Sequence, residues 1–108
     1  MATARTPQPT AEDPAKVDPK HYKVEFENDR LRVVRIKYGP GEKSMMHSHP
    51  ESIAVFLTVA HAKFTYPDGR SEDINANAGS VQHMDAFTHL PESTSKTPFE
   101  VIQVELKR

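Results

Sequence analysis

The 108-residue chain contains no cysteine and no tryptophan, and it has only four glycines. Without a thiol there is no disulfide, no cysteine nucleophile and no cysteine metal ligand. No apolar run approaches the ~20 residues of a membrane-crossing helix. The formal net charge is -1 with both signs interspersed, so the chain carries no electrostatic footprint for nucleic acid or an anionic membrane. The first residues lack the apolar segment of a secretory signal, which makes a cytoplasmic location the default expectation. Phosphate-cradling glycine loops, a nucleophile elbow and a Ser/His/Asp arrangement are also missing.

Proline is present in quantity, and four of the nine fall within residues 1–20. That stretch has almost no apolar bulk to offset its ordering entropy, so a flexible arm is expected over 1–20 and a single domain over 21–108. From residue 21 the dominant period is two. Tyr22, Val24 and Phe26 alternate with charged residues. Val34, Ile36 and Tyr38 do so up to the turn at Gly39-Pro40-Gly41. Residues 53–59 are apolar on both faces, which predicts a strand covered on both sides, by a sandwich partner or by a second subunit. Ala62, Phe64 and Tyr66 lead into the Pro67-Asp68-Gly69 turn. A closing strand alternates Ile102, Val104 and Leu106 with Val101, Gln103 and Glu105. Eight or nine short strands at this spacing predict an all-β sandwich or barrel. No stretch has the spacing of a long amphipathic helix.

The chemistry centres on Gly41-Glu42-Lys43-Ser44-Met45-Met46-His47-Ser48-His49-Pro50. Residues i and i+2 of a strand share a face, so His47 and His49 aim at a common point, as two ligands of one metal must. Two solvated histidines on a strand edge would show the same spacing. His83 shares a face with Val81 and is either a fourth ligand or a histidine of the barrel wall. Glu51 is either a ligand or a turn residue. His61 and His21 read as solvated. Phe56, Phe64 and Phe87 read as core or pocket lining, and Met45, Met46 and Met84 as packing.

Gly41, five residues, His-x-His, and later Gly79 leading to His89 resemble the two motifs of the cupin superfamily. The resemblance runs from about Val24 to Leu106. It implies a small jelly-roll barrel with a metal inside, held by His47, His49 and His89, and a homodimer. The family's glutamate, four or five residues after the second histidine, is replaced by Ile53 or Ala54. Its closing glycine is replaced by Ala60, and the second motif carries Asp85, Phe87 and Ser93 where Pro, Gly and Asn are usual.

Three neutral imidazoles without a carboxylate suit Fe(II), Ni(II), Cu(II), Co(II) or Zn(II) better than Mn(II), and they leave coordination positions open. Two functions are consistent with that set. One is a metal-dependent oxygenase or isomerase acting on a small molecule. The other is a non-catalytic module that binds or senses a metal or small ligand. Under either, Ile53→Glu is expected to rebuild the four-ligand pattern if residue 53 faces the site.

Overall fold

The computed structural model describes residues 12–107. One short helix, α1 (Pro14–Val17), precedes nine strands: β1 (Tyr22–Glu27), β2 (Leu31–Tyr38), β3 (His47–His49), β4 (Ser52–Phe56), β5 (Ala60–Thr65), β6 (Ser71–Ala76), β7 (Val81–Met84), β8 (Phe87–Ser93) and β9 (Phe99–Leu106). They form a five-stranded sheet in the order β1-β2-β9-β4-β7 and a four-stranded sheet in the order β3-β8-β5-β6. All the pairings are antiparallel. The expectation of an all-β jelly-roll sandwich holds.

Alternation assigns the faces. Val34, Ile36 and Tyr38 of β2, Ala54 and Phe56 of β4, and Phe99 and Val101 of β9 are buried between the sheets. The opposing sheet contributes Ala60, Ala62 and Ala76 together with His47, His49 and His89. Large side chains on one sheet thus face small ones on the other, and the interior keeps a hollow. At the β5–β6 hairpin Gly69 takes φ 90°, which a side chain would disfavour and which the Pro-Asp-Gly signal foretold.

Two strands depart from simple alternation. In β1 a register shift between Val24 and Phe26 places Phe26 opposite Val33. Phe26 therefore leaves the face of Tyr22 and lies 54% exposed on the outside of the sheet. In β9 the inward set is Phe99, Val101, Gln103 and Glu105, while Ile102, Val104 and Leu106 turn outward. Gln103 is satisfied inside by donating to Ser52 Oγ at 3.0 Å.

The expected arm over 1–20 falls into two parts. Residues 1–11 lie outside the described residues. Residues 12–20 pack on the barrel, which corrects the expectation for that half. Pro14 is fully buried and occupies the first turn of α1, where its missing N–H costs nothing. Asp13 caps the helix, its Oδ1 accepting from Ala15 N at 3.0 Å. It also accepts the fork of Arg32 at 2.9 and 3.0 Å. Polar anchoring does here what apolar bulk does elsewhere.

Candidate metal centre

Strand β3 is only three residues long, and its register against β8 builds the site. His47 pairs with His89, Ser48 with Thr88, and His49 with Phe87. His47 and His49 share the inward face by the period of two. His89 lies directly across from His47 on that same face. On the outward face the Ser48 and Thr88 hydroxyls bond at 2.7 Å. The three imidazoles are buried, His47 completely.

Their Nε2 atoms converge. His47 Nε2 lies 3.1 Å from His49 Nε2 and 3.2 Å from His89 Nε2. The three possible ligand nitrogens all lie within 4.8 Å of one another. Imidazole nitrogens bound to one metal at about 2.0–2.1 Å stand about 3.0–3.4 Å apart when adjacent. The two separations about His47 fall in that range.

Hydrogen bonds behind the rings decide which nitrogen carries the proton. Glu105 Oε2 lies 3.2 Å from His49 Nδ1, and a carboxylate can only accept, so His49 donates from Nδ1. Glu105 Oε1 in turn accepts from Arg32 Nε at 2.8 Å. His47 Nδ1 faces Ser44 Oγ at 3.3 Å. The Ser44 hydroxyl gives its own proton to Asp18 Oδ2 at 2.5 Å, so it can only accept from His47. Burial, reinforced by His49, pushes His47 down to about 3. Burial and then His49 and His47 lower His89 as well. With Nδ1 of His47 and His49 committed to acceptors, their Nε2 atoms are left to face the centre of the cluster, an arrangement that suits a central cation. His89 Nδ1 is buried with no hydrogen-bond partner, so this ring alone is unbraced from behind.

The other candidates lie elsewhere. His83 is exposed on the outer face of β7 and bonds Glu51 Oε2 at 2.7 Å. Neither joins the three histidines, and no carboxylate does so among the described residues. Ile53 sits opposite His83 on the outward face, so the substitution expected to rebuild a four-ligand set belongs at Ala54. Ala54 is 2% exposed and faces the interior. His61 bonds Asn75 on the surface. His21, read as solvated, is buried: it contacts Asp18 Oδ2 at 2.7 Å and Glu42 Oε1 at 2.9 Å and stacks on Tyr38 at 4.2 Å. Sequence reasoning missed Glu105, Arg32, Asp13 and Asp18. Their one signal was a carboxylate in phase with the buried residues of a closing strand.

Beside the imidazoles lies a cavity of ≈ 60 Å³, several times the ~10–15 Å³ that one water requires. His49 and His89 line it together with Ala54, Phe56, Phe64, Phe87 and Gln103. The three phenylalanines read as lining take that role. Its hydroxyls, Tyr22 and Tyr38, bond each other at 2.7 Å; among the described residues no lysine or arginine lines it, and Glu92 is the carboxylate that does.

This fold is shared with solved cupin domains. A cupin domain from Bordetella pertussis Tohama I superposes with TM-score 0.74 at 22% identity, over 81% of this chain and 92% of that one. A cupin superfamily protein from Desulfitobacterium hafniense DCB-2 gives TM-score 0.60 at 17% identity, over 81% and 76% of the two chains. Bacillus subtilis oxalate decarboxylase, a protein with Mn(II) centres, gives TM-score 0.56 at 19% identity, over 73% of this chain but 22% of its own. No family model and no curated protein matches the sequence.

Proposed function

We propose that the protein is a metal-binding cupin in which His47, His49 and His89 hold one divalent transition metal. The observation that carries this reading is the convergence of three buried imidazoles, two of them with the outer nitrogen committed to an acceptor. The all-nitrogen donor set favours Fe(II), Ni(II), Cu(II), Co(II) or Zn(II) over Mn(II). When bound, such a metal supplies a Lewis acid, or a redox centre if it is iron or copper, with positions open toward the cavity.

The cavity then receives the substrate. Its walls are mostly apolar, carry no lysine or arginine among the described residues and include the Glu92 carboxylate, so we favour a small uncharged molecule, a diketone, thiol or phenol, over a dianion such as oxalate. An oxygenase-type reaction follows more readily than an isomerisation, since the wall hydroxyls are mutually paired and burial raises both tyrosines. A non-catalytic binding or sensing role is the second reading, favoured by the same scarcity of unpaired polar groups.

Purified protein without a histidine tag should contain close to one equivalent of metal. His47→Ala and His89→Ala should lose it while keeping the β-sheet circular dichroism signature. Metal-free wild type that takes up none of the five ions would refute the assignment. Oxygen consumption by the loaded protein with the neutral panel separates enzyme from sensor.

A homodimer formed through the outer face of the five-stranded sheet completes this reading. That face carries Val33, Val104 and Ile53 in one row and Ile102, Val55 and Val81 in the next. Val81 is 62% exposed. Of the charges bordering it, Arg35 is paired with Glu25 and Glu100, and Lys107 with Glu27. A two-fold pairing of this face would bury those apolar rows against each other. A cytoplasmic location remains part of the proposal; among the described residues no helix is long and apolar enough to cross a membrane.

A further inference from the structure

Both braced imidazoles are tied, through separate chains of hydrogen bonds, to one short piece of sequence at the start of the described chain. From Asp13 a path runs through Arg32 and Glu105 to His49 Nδ1. Its contacts are a two-pronged pair at 2.9 and 3.0 Å, then 2.8 Å, then 3.2 Å. Glu105 is 3% exposed. From Asp18 a second path runs through Ser44 to His47 Nδ1, at 2.5 and 3.3 Å. A third tie is made by the backbone: Ser48 N, between the two ligands, donates to Glu12 O at 2.9 Å.

Helix α1 lies between these ties. Asp13 is its N-cap and Asp18 its C-cap, so folding this one turn places both carboxylates together. Asp18 is held further by His21 Nδ1, whose other nitrogen contacts Glu42. The rest of the barrel closes without this segment, since β1 to β9 pair among themselves. What the segment adds is directed at the site.

We propose that residues 12–21 are a clamp on the metal centre. Asp13 and Asp18 are positioning residues that hold the rings of His49 and His47 with Nε2 turned inward. The ordered state of the segment and the occupancy of the centre strengthen each other. This rests on the reading of His47, His49 and His89 as metal ligands. Partners behind metal-bound histidines fix the tautomer and ring angle, and their loss weakens metal binding about 10–100-fold. Coupling between two sites is reciprocal, so whatever the clamp gives to the metal, the metal returns to the clamp.

The test uses the full chain and Zn(II) or Ni(II) in competition with a chromophoric chelator. Glu105→Gln should weaken binding about 10–100-fold. Asp13→Asn, two contacts further out, should weaken it in the same direction by about fivefold or more. Lys96→Ala, exposed in the loop before β9, should leave it unchanged. Melting of each variant in excess chelator checks that its barrel is intact. A second measurement needs no variant: amide exchange in wild type with and without metal. Protection should rise at Asp18 and Tyr22, which bond Pro14 O and Asp18 O, and at Ser48.

Equal affinity in wild type and Asp13→Asn, with exchange at those amides indifferent to metal, would overturn the clamp while leaving the site intact. Wild type binding no more metal than a His47→Ala/His49→Ala double variant would overturn both. The two failures are therefore distinguishable.

Discussion

At the scale of single residues, the position that decides the ligand set is Ala54. It stands on the inward face of β4 beside the imidazoles, where a carboxylate would complete an oxygen-containing set. Ala54→Glu should lower the melting temperature of metal-free protein, because an unpaired carboxylate is buried. Mn(II) should restore it, and Mn(II) affinity should rise relative to Ni(II). Ile53→Glu should do neither, since that residue faces outward. Titrations of both variants with both ions give the comparison.

The histidines also set an acid limit on the metal-free protein. His47 falls from its usual 6.5 to about 3 in the fold, so between those values the unfolded chain binds more protons than the folded one. Stability is then complete above about pH 6.5 and declines as the pH falls toward 3. Thermal melts across that range in chelator should show this slope, and His47→Gln should reduce it, with His89 supplying the remainder. His47 and His49 were legible in the sequence because a strand's period of two is strict, and His89 because of the motif that precedes it. Glu105 was not. It alternates with Ile102, Val104 and Leu106, and apolar count alone would make that set the buried one.

At the scale of elements, β9 is the strand on which fold and site both rest. It lies between β2 and β4 and carries Phe99 and Val101 to the core, Gln103 to Ser52, and Glu105 to His49. Phe99 is 7% exposed and stacks on Tyr38 with centroids 5.3 Å apart. Phe99→Ala should cost about 3–5 kcal/mol in urea unfolding. A smaller loss would mean that the cavity collapses to fill the space. Strand number, turns and most inward positions could be read from alternation. The β1 bulge could not, because polar and apolar residues keep alternating straight through it while the backbone shifts register. Nor could α1: Asp13-Pro14 is a good helix start, but four residues leave no periodicity to detect. Its docking rests on Arg32, far along the chain.

At the scale of the whole molecule, the outer face of the five-stranded sheet explains why residues 53–56 read as apolar on both sides; Leu57 and Val59, expected to continue that strand, lie exposed beyond the end of β4. One side of β4 meets the core, and the other meets solvent in a single chain. Val55→Lys should convert a dimer to monomers in analytical ultracentrifugation, with metal content unchanged because Val55 points away from the site. A wild type that sediments as a monomer would remove this face from the account. The cupin architecture itself was available from two motifs and eight or nine strand signals. The N-terminal anchoring was not, because it depends on charged pairs across the sheet rather than on hydrophobic pattern.

The β3–β8 register has a consequence for how the chain acquires its shape. Sliding a three-residue edge strand by a single position would turn both imidazoles outward and bring Ser48 in. So few backbone bonds resist that error only weakly. A cation present while the chain refolds would reward the correct alignment alone, and so act as a template. Recovery from denaturant should consequently be faster and more complete when the ion is supplied at the outset than when it is added afterwards.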